Sequence, residues 1–445
     1  MNICIILLDC LRADHLGCYG YPKNTSPNID AIATESLIFE NAISQSNWTY
    51  PSLYSMITGR YPSSLKIAWW DQRVNEKVMV LPELLARSSY QTGLFTFFKG
   101  LLNPDCFCSH FKETKQLKVK DNLPKALEQW ITSYEKSFLL LHIGEYIHEP
   151  FYADKQYIKR FLEDDIDPEK MATSPVVDSL TSRTIASKNM RKVMAKINTK
   201  LTRLTKEQIK YLLAAYDAGI CYIDRIVGEL HQIVKNNSKN YLFIILADHG
   251  QAFMEHGVFG HGLTLYEELI HVPLIIDFNN KYRGRIANTV QLMDICPTIL
   301  DILGVRCNNV MDGTSLLPFF KGDTVSERWC AAEGYPYVSM RNNNYKLITK
   351  YTKLNNYKEI FNPVAKSWKR RLLANLLHYL PDKVFNMETD PYEKNNLVWK
   401  RRNIYHSLMT EVNEIAKRFT IESLPSTEVG VDEAIKKQLE DLGYI

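Results

Sequence analysis

The sequence predicts an α/β fold, an α/β/α sandwich on a largely parallel central sheet, with a small α+β subdomain at its C-terminal end. Three observations lead there. Over residues 1–320, short β-branched runs that are apolar throughout alternate with helical stretches, and runs without a polar face suit parallel strands covered on both sides. After Pro318-Phe319-Phe320-Lys321-Gly322-Asp323 the candidate strands shorten and a basic helical stretch appears. Acidic residues also stand at the ends of two apolar runs, where open α/β sheets collect their ligands.

The strands are predicted at Ile3–Leu8, Thr92–Phe98, Phe138–His142, Tyr241–Ala247 and Pro273–Ile276. Helices at Asn28–Ser36, Leu81–Ser88 and Lys206–Asn236 separate them. Residues 1–322 form the predicted main domain. Residues 323–445 form the small unit, with strands at Trp329–Ala332, Tyr345–Lys350 and Val384–Met387 and a last helix near Tyr405–Phe419. Residues 153–205 are charged and lack a clear strand, which suits an insertion or lid. Residues 366–380 set Trp368, Leu372, Leu376 and Leu380 on one helical face, with Lys366, Lys369, Arg370 and Arg371 nearby. Such a stripe either packs on its own domain or touches a membrane surface.

Composition narrows the function. With 445 residues, 45% hydrophobic and 23% charged, the chain is an ordinary globular protein, which excludes collagen, disorder and a disulfide-stapled miniprotein. A net charge of +4 is too small to predict a nucleic-acid partner. No stretch approaches the roughly 18 apolar residues of a membrane-spanning helix. The opening Met1-Asn2-Ile3-Cys4-Ile5-Ile6-Leu7-Leu8-Asp9 lacks the charged start and cleavage site of a secretory signal. Nine scattered cysteines, an odd number, read as free thiols, and Cys106-Phe107-Cys108 has no second pair to make a zinc site. These readings together predict a cytoplasmic protein.

Three segments carry chemistry. Asp9 ends the first strand and opens a loop, as a ligand or as a loop cap. Asp248-His249-Gly250 follows the strand at Tyr241 and offers a hard carboxylate beside a borderline imidazole, a pairing suited to a divalent metal; Gly250 is expected to let the backbone turn tightly. In Asn47-Trp48-Thr49-Tyr50-Pro51-Ser52, Pro51 belongs in the first turn of a helix running through Thr58 to Gly59. Thr49 then sits at the helix N-terminus, as a cap or as a nucleophile.

Together these segments resemble the sulfatase family of the alkaline phosphatase superfamily over nearly the whole chain. The resemblance rests on Leu7-Leu8-Asp9, Arg12-Ala13-Asp14-His15-Leu16-Gly17, Thr25-Ser26-Pro27-Asn28, Thr49-Tyr50-Pro51-Ser52 and Thr58-Gly59-Arg60-Tyr61-Pro62. It continues in Asp248-His249-Gly250, Glu255-His256-Gly257, Gly260-His261-Gly262, Val272-Pro273-Leu274-Ile275 and Asp312-Gly313-Thr314. It implies a metal held by Asp9, Thr49, Asp248 and His249. His148 matches a family histidine that touches the substrate's anionic group, and His261 falls where many members carry a lysine. Either imidazole could donate a proton to the leaving oxygen. Lys99 is a further anion contact only by weak correspondence.

The departures sharpen the reading. Sulfatases proper oxidise a Cys or Ser to formylglycine; Thr49, a secondary alcohol, would give a ketone, so no formylglycine is expected. Leu53 replaces the motif's arginine, and Cys10 stands where a second metal-binding Asp is usual. His249 in place of the frequent Asn favours manganese or zinc, with calcium and magnesium as alternatives. The expectation is a metal-dependent hydrolase of phosphate or sulfate esters acting through Thr49 on a small-molecule, glycan-derived or lipid-derived substrate. The alternative is a phosphoryl-group transferase of the phosphoethanolamine or glycerol-phosphate type with the same covalent step. The sequence leaves oligomeric state open.

Overall fold

The computed structural model describes residues 1–445 except 68–71, 119–120, 164, 183–185, 308–309, 335, 351–380, 422–426 and 429–445. The amphipathic stretch 366–380 lies outside the described residues. In chain order the strands are β1 (Asn2–Leu8), β2 (Leu37–Ile43), β3 (Gln72–Arg73), β4 (Gln91–Thr96), β5 (Glu113–Gln116), β6 (Ser137–Ile143) and β7 (Tyr241–Leu246). There follow β8 (Ala252–Phe253), β9 (Phe259–Gly260), β10 (His271–Val272), β11 (Leu274–Asp277) and β12 (Gly284–Gln291). The last are β13 (Cys330–Gly334), β14 (Tyr337–Arg341), β15 (Tyr345–Lys350), β16 (Lys383–Asn386) and β17 (Thr427–Glu428).

β1 is the centre of a nine-stranded sheet. All seven of its residues are buried, and it pairs in parallel with β6 on one side and β7 on the other. β4 and β5 extend the parallel half. On the other side β11 runs antiparallel between β7 and β2, β10 also opposes β2, and β12 is parallel to β2. The sheet is thus largely parallel, and the strand expected at Pro273–Ile276 is, with β10, one of the two that run against it. The edge strand β12 carries no continuous apolar run, because Gly284, Arg285, Asn288 and Thr289 interrupt it and its first half is exposed or half-exposed.

Helices cover the sheet. The longest, Lys206–Asn237, starts with a capping box in which Thr205 and Gln208 satisfy each other's backbone N–H groups. It buries Tyr211, Leu212, Ala215 and Tyr216 against the sheet side and the loop after β1. Among the described residues of 153–205 there are four helices and no strand. Asn198 from this segment brackets Phe259 of β9 with two hydrogen bonds of 2.9 Å.

The C-terminal strands β13–β16 form a four-stranded antiparallel sheet, on which the helix Arg402–Ile421 buries Leu408, Val412 and Ala416. One of the seams that tie this sheet to the main domain runs through Glu333. Glu333 N–H donates to Gln45 O at 2.9 Å, Ser46 Oγ donates to Glu333 O at 3.0 Å, and the Glu333 carboxylate accepts from Ser63 N–H and Oγ. The small sheet therefore buttresses the segment that leads into the helix bearing Thr49. None of the nine cysteines is in a disulfide. No helix among the described residues is long and apolar enough to cross a membrane.

Candidate active site

The carboxyl ends of three adjacent parallel strands supply the centre of the site. Asp9 follows β1, and its N–H continues the ladder to Ile143 O at 2.9 Å, so the sheet itself fixes its carboxylate. Asp248 and His249 follow β7. His142 lies in β6 level with Leu7 of β1. Each of the four side chains is at least 95% buried.

Thr49 arrives from the other direction. It is the first residue of the helix Thr49–Thr58, with Trp48 as N-cap, Pro51 in the first turn and Gly59 as C-cap. Two hydroxyls tie this helix to the metal-type residues: Ser52 Oγ donates to Asp248 O at 2.7 Å, and Ser44 Oγ donates to the same oxygen. Thr49 Oγ1 consequently lies 3.2 Å from His249 Nε2. Gly250 has ordinary backbone geometry, contrary to the tight-turn expectation. Its role is close approach, because a Cβ there would sit 2.1 Å from Glu268 O.

The donor set converges. His249 Nε2 is 3.5 Å from both Asp9 Oδ1 and Asp248 Oδ2, and His142 Nε2 is 3.3 Å from Asp9 Oδ2. The tautomer of His249 follows from its outer hydrogen bond. His249 Nδ1 donates to Gly250 O at 2.9 Å, and His142 Nδ1 faces Thr96 Oγ1 at 3.1 Å. His249 thus presents a bare Nε2 to the carboxylates. Asp248 Oδ1 accepts from His249 N–H at 3.0 Å, while Asp248 Oδ2, Asp9 Oδ1 and His142 Nε2 have no hydrogen-bond partner. Buried, unpartnered lone pairs aimed at one another are strongly unfavourable unless a cation lies among them. Two carboxylates and two imidazoles suit a divalent ion.

Charge is arranged accordingly. Burial works to raise Asp9, but the adjacent imidazoles of His142, His148 and His249 hold it below the ordinary carboxylate range. Asp248 is shifted upward by burial and by Asp9.

His148 and His261 line the next part of the site. Their ring centroids are 5.0 Å apart, and His261 lies 4.7 Å from His249. Burial lowers both, but Glu149 and Asp9 outweigh it at His148, whose pKa is raised. His261 is pushed down to about 3 by burial and by His249 and His148, against Glu149. The loop carrying His261 is tied to the Thr49 segment by Gly262 N–H to Asn47 O at 3.0 Å and Asn47 Nδ2 to Thr264 O at 2.7 Å.

The structure therefore brings together Asp9, Thr49, Asp248, His249, His148 and His261. Lys99 opens a short 3-10 turn after β4, and among the described contacts it has none with these groups. The sequence pattern presents His142 only as the end of an apolar strand. The available signal was a lone imidazole in a run otherwise free of polar side chains, Phe138–Ile143, where a buried polar group needs a partner.

Comparison with known proteins agrees with this geometry. Residues 1–305 match the family described as Sulfatase, and residues 254–418 match the C-terminal region described for N-sulphoglucosamine sulphohydrolase. The chain is 29% identical to human arylsulfatase K over 226 residues, 48% of this chain and 38% of that protein, so it spans well under half the length of that relative. It is 23% identical over 419 residues to an arylsulfatase of Clostridium perfringens, 79% of this chain and 84% of that protein. The fold is shared with the phosphonate monoester hydrolase of Agrobacterium radiobacter, with a TM-score of 0.70 at 15% identity over 97% of this chain and all of that one. With well over half of its 445 residues matched, the chain belongs to the sulfatase family.

Proposed function

We propose that this protein is a metal-dependent hydrolase of anionic esters that uses Thr49 as its nucleophile. The observation that supports this best is the placement of Thr49 Oγ1, at a buried helix N-terminus and 3.2 Å from His249 Nε2. Asp9, His142, Asp248 and His249 would hold the ion, with manganese or zinc favoured by the two imidazoles. When bound, it supplies Lewis-acid polarisation of the ester and acidifies a nearby hydroxyl.

The remaining work falls to the chain. The N-terminal N–H groups of the helix Thr49–Thr58 and His148, whose pKa is raised, face the group being transferred. Thr49 Oγ1 forms a bond to phosphorus or sulfur as the bond to the leaving oxygen breaks. The Thr49 proton has the Asp248 carboxylate as its neighbouring acceptor. His148 is the proton source for the leaving oxygen, since His261 is neutral at ordinary pH. Water then attacks the Thr49 ester, which restores the hydroxyl and releases the acid.

Threonine forms such an ester without prior oxidation, so the residue acts unmodified and phosphate monoesters or diesters are the first substrate class. The relatives named arylsulfatase make sulfate esters the second. Rates with nitrophenyl phosphate, bis-nitrophenyl phosphate and nitrophenyl sulfate in added manganese test the reading. Turnover that survives Thr49→Ala would refute it.

A further inference from the structure

A second group of ligand-type side chains adjoins the first. Cys10 comes from the loop after β1, Glu149 from the loop after β6, and His261 from the turn after β9. Cys10 Sγ is 3.8 Å from His261 Nδ1, and that nitrogen is 3.6 Å from Glu149 Oε2. A tetrahedral ion with sulfur at about 2.3 Å and nitrogen and oxygen at about 2.0–2.2 Å keeps its ligand atoms roughly 3.3–3.6 Å apart. The two edges at His261 already stand near those lengths, and the ligand atoms of the group lie within 4.8 Å of one another.

Their surroundings point the same way. Cys10 and Glu149 are fully buried, and neither oxygen of Glu149 receives a hydrogen bond of good geometry. The imidazole nitrogens beside it are those of His148 at 3.4 Å and His261 at 3.6 Å. Cys10 is held at φ 66°, a strained conformation for a residue with a side chain. Both of its backbone groups are tied, the N–H to Asp248 Oδ1 at 3.4 Å and the carbonyl by Tyr216 Oη at 2.7 Å. This fixes Sγ between His249 Nδ1 and His261 Nδ1, each 3.8 Å away. His249 Nδ1 donates to Gly250 O; His261 Nδ1 lies 3.1 Å from Gln251 Oε1, a contact that an ion bound at this nitrogen displaces. His148 belongs to the same cluster, but its Nδ1 is 2.7 Å from the Glu149 carbonyl. It stands beside the site.

We propose that Cys10, Glu149 and His261 form a separate site for a zinc-class divalent cation, next to the one formed by Asp9, His142, Asp248 and His249. Thiolate, imidazole and carboxylate together select zinc over calcium or magnesium. Binding replaces the thiol proton of Cys10, which is released to solvent. Three protein ligands leave a fourth position. Its occupation by the substrate's anionic group rests on the ester-hydrolase reading above; the binding of the ion does not.

Cobalt titration of the chelator-stripped full-length protein tests this. The expected result is two equivalents per chain, one of them producing a thiolate-to-cobalt charge-transfer band. Cys10→Ser abolishes the band and one equivalent. Glu149→Gln weakens that equivalent by roughly 10–100-fold, and Asp248→Asn removes the other equivalent while the band remains. A single equivalent in the wild type overturns the proposal, as does a band that survives Cys10→Ser or disappears in folded Asp248→Asn. Circular dichroism reports folding of each variant. Thr49→Ala should keep both equivalents while losing turnover. Two equivalents in a wild type inactive on every ester would therefore sink the hydrolase reading and leave the second site standing.

Discussion

Thr49 and His249 are 200 positions apart in the chain, and their reactive atoms lie 3.2 Å apart. The contact exists because the helix Thr49–Thr58 is pinned to the backbone of Asp248 through Ser44 and Ser52. Thr49→Ala should lower kcat by roughly 10³-fold or more with the far-ultraviolet spectrum unchanged. Thr49→Ser, which keeps the hydroxyl, should retain part of the activity. Equal rates for the wild type and Thr49→Ala on every ester would exclude a nucleophilic role.

The unpartnered atoms of Asp9, His142 and Asp248 predict that removing the metal costs stability. Two buried carboxylates then face each other without a cation. At a metal concentration of about 100 times Kd the ion contributes about 2.7 kcal/mol, which chelation should remove as a fall in Tm. His142→Ala should weaken metal retention by at least about 10-fold, measured by elemental analysis after dialysis. An unchanged Tm on chelation would contradict the assignment.

Glu267 gives a pH prediction away from the chemistry. It bridges Lys346 at 2.9 Å and Arg341 at 3.2 Å. Burial raises its pKa, but Arg341 and Lys346 outweigh this and hold it at about 2. A folded value below the unfolded one, about 4.3, gives stability that is present above the unfolded value and lost as pH falls towards 2. Glu267→Gln should cost about 3 kcal/mol near neutral pH and flatten the acid limb of a denaturation-midpoint profile. Glu393 on the same lysine is raised to about 7 by burial, and by Glu267 against Lys346. Its contribution has the opposite sign, present below the unfolded value and lost as pH rises through 7, and Glu393→Gln should remove that loss.

Gly219 lies in the middle of the helix Lys206–Asn237, where alanine would ordinarily be favoured by about 1 kcal/mol. Here an added Cβ would meet Tyr146 O at 2.3 Å. The obstacle is backbone, so only movement of the Tyr146-Ile147-His148 turn can relieve it. Gly219→Ala should therefore destabilise by roughly 1–3 kcal/mol and lower kcat through displaced His148. A gain in thermal stability would show that the turn yields freely.

By itself the sequence determined the strands and the helix whose order carries Asp9, Thr49 and the Asp248-His249 pair. Those elements are local, written in apolar runs, Pro51 and Gly59, and their physics acts over a few residues. Only the tertiary structure decided that β1 lies between β6 and β7, which brings His142 level with Leu7 and its Nε2 within 3.3 Å of Asp9. It likewise decided that Cys10, which stands where a carboxylate was expected, turns towards His261 and Glu149. Strand order and side-chain direction depend on contacts across more than a hundred residues, so no local pattern encodes them. The antiparallel run of β11 was hidden for the same reason: buried strands of either direction are equally apolar. What converges at the strand ends is a property of the sheet, and only the assembled sheet shows it.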